Sequence, residues 1–292
     1  MYYLVYFSFW LITLLPLRLL YILSDILYPI VYYVVGYRKD VVRYNISKSF
    51  PEKTQQEKLK IERNYYRYFC DLFIETMKEM HFSIDEIKRR MTFGNFDALK
   101  EQYAKGKSVM LMTAHYGNWE WPIALSLYLP DEVPLYGIYK AQSNKSFDTL
   151  FFKLRSRFGG IPIEKNRLMR FLIQLKKENK LGNFWMIADQ TPYGSDVNFF
   201  WTKFLNQDTA TLTGTEQLAR KFDFPVFYAD IIRTKRGYYH CEFIPITLEP
   251  TQTKEFEITE RYMQLLEKRI QTSPQFWLWS HRRWKYQPKN QA

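Results

Sequence analysis

The chain opens on a stretch without any charge, MYYLVYFSFWLITLLPL, and through Gly36 the only ionised side chains are Arg18 and Asp25. A soluble amphipathic helix needs a polar face, which residues 1–17 lack. A secretory signal needs a basic start and a small-residue cleavage site, and neither is visible. The pattern predicts a membrane-attached helical leader over residues 1–36, either one tilted span or a helical hairpin; a buried core helix is the competing reading. Pro16 and Pro29 each remove a backbone donor, which argues against one straight helix through both. Arg38, Lys39, Arg43 and Lys48 follow at once. The positive-inside tendency places them, and the domain of residues 37–292, on the cytoplasmic face.

From about residue 40 the pattern turns soluble. SFPEKTQQEKLKIERNYYRYFCDLFIETMKEM has apolar residues at three and four spacing and reads as a Pro-started helix. Short apolar runs then alternate with helical patterns. Strands are expected at 108–114, 133–139, 183–189, 224–232 and 238–246, and helices at about 119–129, 146–158, 167–180, 209–222 and 255–272. Such alternation implies an α/β domain with a largely parallel sheet covered by helices. The last two strands are joined by Arg233-Thr234-Lys235-Arg236-Gly237, short enough for an antiparallel hairpin, so the sheet is expected to be mixed.

Composition narrows the functional classes. With 47% hydrophobic and 25% charged residues the chain is neither disordered nor polytopic. Aromatics reach 18%, an abundance that suits contact with lipid headgroups or long apolar ligands. The formal charge of +12 favours an anionic partner: nucleic acid, acidic lipid or an acidic carrier protein. Cys70 and Cys241 are the only cysteines, too few and too far apart for a disulfide framework or a zinc site. With no Gly-rich phosphate loop or metal cluster in the sequence, neither nucleotide, cofactor nor metal is expected.

Among four histidines, His115 stands apart. It ends the apolar run 108–114 and precedes Tyr116-Gly117-Asn118-Trp119-Glu120. Ligands in open α/β sheets gather just beyond the carboxyl ends of strands, where this residue would stand. Five residues along one helix would turn Glu120 away from His115. A turn at Gly117, with Asn118 capping a following helix, would let the Glu120 carboxylate fold back on the imidazole and fix its tautomer. The alternative is a satisfied structural histidine and a glutamate favoured by the helix dipole. Asp189 ends another strand pattern and occupies the same topological position.

The stretch TAHYGNWEW resembles the His-xxxx-Asp/Glu motif of membrane acyltransferases, in the form found in the late, Kdo-dependent lipid A acyltransferases of bacteria. RKDVVRYNISKSFPE, LRSRFGG (154–160), MIADQ (186–190), ATLTGT (210–215) and PQFWLWSHRRWK (274–285) resemble further segments of that family in order. The resemblance implies a glycerol-phosphate-acyltransferase-like fold on the bacterial cytoplasmic (inner) membrane. It also implies His115 as general base and Glu120 as the group that orients it. The reaction would be direct attack of an acceptor hydroxyl on the thioester of an acyl carrier protein. Arg155 is the first choice to stabilise the oxyanion and Arg157 the second, because residues at i and i+2 do not share a helix face. Asp189 would hold an arginine or position a substrate hydroxyl, with a structural hydrogen bond to a neighbouring loop as the alternative. Asn118, Lys140, Gln190, Arg282 and Arg283 are the substrate-binding candidates, the last two toward phosphate headgroups beside a Trp-rich tail.

The expected acceptor is a lipid A precursor, with a lysophospholipid or an amino-acid lipid as the alternative on the same chemistry. A non-catalytic lipid-binding membrane protein is the alternative from another class, and it leaves the joint presence of these side chains without purpose. A basic nucleic-acid binder would account for the charge but not for the leader, and no recognised binding module is present.

A leader held by apolar burial should keep the full chain in the membrane fraction through a wash in about 1 M salt, where the Debye length is only about 3 Å. Complete release by salt would reduce the leader to part of a peripheral basic domain.

Overall fold

A computed structural model of the chain describes residues 2–192 and 199–286; Met1 of the leader and residues 287–292 at the end of the domain lie outside them. The leader begins with α1 (Tyr2–Ile12), and Pro16, in an extended conformation, separates it from α2 (Leu17–Pro29). Pro29 does not break the run. The chain passes it into a wider π-helical turn, Ile30–Val35, which ends where Gly36 takes a left-handed conformation. Leu17–Val35 is thus one helix of 19 residues, long and apolar enough to cross a membrane.

One face of α2 nevertheless belongs to the protein core. Leu17, Leu20 and Ser24, spaced at three and four residues, are buried, whereas Leu19, Ile22, Ile26 and Ile30 are exposed. After α3 (Lys39–Ser49) comes the long α4 (Gln55–Lys78). Thr54 and Glu57 close a capping box at its start, so Pro51 lies in the preceding turn rather than in the helix. The buried face of α2 lies against α4: Ser24 Oγ donates to Asp71 at 2.7 Å and Tyr21 Oη to Glu75 at 2.7 Å.

The rest of the chain builds the sheet. In order follow α5 (Ile84–Arg90), β1 (Met91–Gly94), α6 (Phe96–Ala104), β2 (Val109–Thr113), β3 (Leu135–Tyr139), α7 (Lys145–Ser156), β4 (Ile161–Glu164), α8 (Leu168–Lys177) and β5 (Asn183–Ile187). Then come β6 (Phe199–Phe204), β7 (Gln207–Leu212), α9 (Gly214–Phe222), β8 (Val226–Lys235), β9 (Tyr238–Thr247) and α10 (Glu257–Thr272). Seven strands form one sheet in the order β1-β9-β8-β2-β5-β3-β4. All neighbours are parallel except β8 and β9, the expected hairpin.

Every residue of β2 is buried, because helices cover both sheet faces and a two-sided strand has no polar side. Val109 and Leu111 point into the layer that holds Leu17 and Leu20, Met110 and Met112 into the opposite one. Two expectations are corrected. Residues 209–212 are strand, not helix: Thr209 and Thr211 bury their β-branched side chains in β7, which pairs with β6 outside the main sheet, and α9 starts only at Gly214. The run expected to be helical at 119–129 is a 3₁₀ segment, Trp121–Leu127, with Pro122 in its first turn.

Because Leu20 is fully buried in this core, Leu20→Ala should cost about 2–5 kcal/mol. The check is thermal unfolding of the full chain in detergent micelles, followed by tryptophan fluorescence. An unchanged midpoint would mean that the leader does not pack on the domain in solution.

Candidate active site

Parallel pairing of β2 with β5 brings two strand ends together. Thr113 lies opposite Ile187 in the register, so His115 and Asp189 each stand two residues beyond a paired position, at the same height. Asp189 Oδ1 lies 2.7 Å from His115 Nδ1, and Asp189 Oδ2 accepts from the backbone N–H of His115 at 3.0 Å. Trp277 of the C-terminal segment donates its indole N–H to the same Oδ2 at 2.8 Å. Burial works against the charge on Asp189, but the His115 ring, its backbone N–H and Trp277 outweigh it and hold the carboxyl below its ordinary value. A carboxylate at Nδ1 places the ring proton there and leaves Nε2 as the basic nitrogen. Gln190 Nε2 stands 3.2 Å from that atom.

The turn after His115 is pinned from two sides. Gly117 is left-handed, and a Cβ there would lie 2.8 Å from Ile231 Cγ2, so only glycine fits. Its N–H donates to Phe276 O at 2.9 Å, and its carbonyl accepts from Tyr68 Oη at 2.5 Å. Asn118 acts as the expected cap: its Oδ1 accepts from the N–H groups of Glu120 at 3.3 Å and Trp121 at 3.2 Å.

Glu120 does not fold back on His115. The turn sets the Trp119 ring edge-on against the imidazole, 5.1 Å between centroids. The Glu120 carboxylate leaves in another direction and meets Arg155 in a two-pronged pair, 2.9 Å to Nε and 2.8 Å to Nη2. Desolvation opposes the Arg155 charge, but Glu120 outweighs it and raises the guanidinium pKa. Arg157 is turned elsewhere, donating through Nη2 to Phe82 O at 2.8 Å.

The remaining candidates are scattered. Lys140 and Arg282 are exposed, the first just past β3 and the second in the C-terminal segment. Arg283 is only 1% exposed and donates through Nη1 to Ala210 O at 2.8 Å, so the expectation that it faces headgroups is corrected. Burial lowers its pKa to about 10. Trp277, Trp279 and Trp284 are likewise core residues rather than a surface belt. His281 accepts from Thr191 N–H at 3.2 Å, and burial pushes its pKa down to about 4.

Three side chains near the site escaped the sequence reading. Trp277 stands in a tail whose alternating Trp and Arg mimicked a surface pattern. Glu75, in α4, and Glu79, in the turn that follows it, carried no motif that would single them out. Among the described residues no group of three or more His, Cys, Asp or Glu could hold a metal ion.

A histidine paired through Nδ1 with a buried carboxylate, at the carboxyl end of an α/β sheet, has an arrangement that several classes of general-base enzyme use. Sequence comparison specifies which. The family of bacterial lipid A biosynthesis acyltransferases matches residues 1–286. The chain is 24% identical over 260 residues to the lipid A biosynthesis palmitoleoyltransferase of Escherichia coli (strain K12), covering 87% of this chain and 81% of that protein. It is 25% identical over 284 residues to the lipid A biosynthesis lauroyltransferase of the same organism, covering 96% and 90%. A lipid A biosynthesis acyltransferase of Haemophilus influenzae is 25% identical over 254 residues, covering 86% and 78%. The chain belongs to the bacterial lipid A biosynthesis acyltransferase family and is an acyltransferase.

Glu79 gives the region a distinctive pH response. Both its oxygens are buried without a hydrogen-bond partner. Burial first, then the Glu120 carboxylate, drive its pKa well above the usual carboxylate range against the pull of Arg155 and Arg157. An acid raised in the folded state contributes stability that is fully present below its unfolded value of about 4.3 and is lost as pH rises toward the folded value. Glu79→Gln should remove that slope, which is at most about 1–2 kcal/mol per pH unit. Its melting temperature should therefore exceed the natural chain's at pH 8, with the gap closing or reversing at pH 5. An equal gap at both pH values would show that Glu79 is already ionised.

Proposed function

We propose that this acyltransferase moves a fatty acyl chain from the thioester of an acyl carrier protein to a hydroxyl of a lipid A precursor, on its sugar or on a hydroxyacyl chain. The reaction takes place at the cytoplasmic face of the bacterial inner membrane. The observation that carries this reading is the His115–Asp189 pair, which leaves His115 Nε2 as a base at the open end of the sheet. The acceptor hydroxyl gives its proton to Nε2 while its oxygen attacks the thioester carbonyl. The carbon–sulfur bond then breaks, and the thiolate recovers the proton from the imidazolium. Asp189 takes the orienting role first expected of Glu120, and it stabilises the imidazolium as that forms.

Glu120 then serves Arg155. Held through Nε and Nη2, the guanidinium keeps Nη1 outside the pair, available to the oxyanion. Arg157, bound to the Phe82 carbonyl, is the weaker choice. A fatty acyl group is supported by relatives whose names specify lauroyl and palmitoleoyl transfer, and a net charge of +12 supports an acidic carrier protein as its donor. Membrane attachment is supported by the outer face of α2, where Leu19, Ile22, Ile26 and Ile30 are exposed. With its inner face bonded to Asp71 and Glu75, the leader embeds this outer face without leaving the domain to span the bilayer.

The test measures transfer from acyl carrier protein thioester to a lipid A precursor, with thermal stability followed in parallel. His115→Ala should lower kcat by about 10²–10⁴-fold, and Asp189→Asn should be severe, with the double variant scarcely worse than His115→Ala. Arg155→Ala should cost roughly 10²–10³-fold and show the same non-additivity with Glu120→Gln. Near-normal turnover of a folded His115→Ala protein would sink the mechanism. Strong coupling of Glu120→Gln to His115→Ala, with Asp189→Asn harmless, would return the orienting role to Glu120.

A further inference from the structure

The Glu75 carboxylate takes no part in the proton transfer above, yet it is fully buried and accepts from three separate parts of the chain. Oε1 accepts from Tyr21 Oη of the leader at 2.7 Å. Oε2 accepts from Tyr239 Oη of β9 at 2.7 Å and from Asn118 Nδ2 at 3.0 Å. Asn118 is also fully buried, and its other side-chain atom carries the N–H groups of Glu120 and Trp121. The Trp121 indole returns to the backbone of the same α4 turn, donating to Glu75 O at 3.2 Å. Arg233 lies 3.8 Å from Oε1.

All these side-chain partners are donors, so the position is shaped for a carboxylate. An amide there would have to turn an N–H toward one of them, leaving a buried group unpaired. The orientation of Asn118 follows from the same arrangement. Its NH₂ must face Glu75, which leaves its oxygen, and not its nitrogen, to hold the start of the segment that aims Glu120 at Arg155.

We infer that Glu75 is a positioning residue: through Asn118 it fixes the Glu120–Arg155 arm of the site, and through Tyr21 it makes the seating of the leader part of that geometry. The inference rests on the reading of Glu120 and Arg155 given above.

The experiment uses the full chain in detergent micelles. Glu75→Gln should lower kcat roughly 10- to 100-fold, the effect of leaving one or two buried donors unpaired, with KM changed by less than about threefold. Adding Asn118→Asp reverses donor and acceptor. The new amide at position 75 donates to the new carboxylate at 118, which still accepts from the Glu120 and Trp121 N–H groups. The Tyr239 hydroxyl, which loses its acceptor oxygen, must then accept from the amide, so the double variant should recover part of the lost kcat, about 3- to 10-fold over Glu75→Gln, a coupling that a merely structural loss would not give. Tyr21→Phe should lower kcat by about 3- to 10-fold at unchanged KM.

Amide hydrogen exchange at Glu120 and Trp121 is read in the same proteins. It should speed up in Glu75→Gln and Tyr21→Phe and slow again in the double variant. A natural kcat in Glu75→Gln, or a double variant no better than Glu75→Gln at equal thermal stability, would overturn the positioning role. A natural kcat and unchanged exchange in Tyr21→Phe would cut the leader out of it. If the natural chain itself transfers no acyl group, the proposed reaction fails, while the exchange pattern still decides whether Glu75 holds the loop.

Discussion

A buried carboxylate needs donors, and α4 with the 3₁₀ turn that continues it buries three of them, Asp71, Glu75 and Glu79, spaced four residues apart. Each is accommodated differently. Asp71 is neutralised by Arg233 and Arg236 from the hairpin end of β8, with the Ser24 hydroxyl added from the leader. Glu75 is satisfied mainly by neutral donors from the leader, from β9 and from the turn after β2. Glu79 finds no donor, and burial raises its pKa well above the usual carboxylate range. The leader, the hairpin and the turn after β2 are therefore assembled around one helix by the requirement that its acidic face not be left bare.

The site uses the same economy of parts. Residues 115–120 send two side chains in divergent directions, His115 toward β5 and Glu120 toward α7, and each meets one partner. The C-terminal segment closes the first arm from behind. Leu278 N–H donates to His115 O at 3.1 Å, and the Trp277 indole holds Asp189. His115 and Asp189 thus come from the ends of adjacent parallel strands, which fixes their height, while the tail fixes their direction. The arginine arm depends on one long side chain from the last turn of a helix, and its bidentate pairing restricts how far it strays.

How far the sequence could be read followed the physics of each element. The strands at the centre of the sheet were legible because burial on both faces leaves continuous apolar runs. β1 and β4 were not, since four residues at a sheet edge carry too little pattern, and Thr-Ala-Thr in β7 was read as a helix start. His115 and Asp189 were both legible as strand ends. Their partnership was not, because strand order decides which ends are neighbours and a linear spacing such as 115 to 120 holds no such information. Arg283 misled for a related reason: alternating Trp and Arg in an irregular tail is the same string whether the tail lies on the surface or threads beneath it.

The tie between leader and hairpin also bears on how the chain is made. Arg236 reaches back to Tyr21 O across 215 residues, and a side chain at Gly237 would run into the Tyr21 hydroxyl. Leu17 and Leu20 share their core layer with Phe227, Ala229 and Tyr239. During synthesis the leader emerges first, yet the surface that covers its inner face is completed only when the last two strands are in place. For most of that interval α4 alone lies against the inner face and the outer face is bare, a condition in which a chain aggregates readily. A lipid bilayer that received the outer face early would hold the leader apart from other chains until β8 and β9 arrive, and would in that way serve as a folding partner.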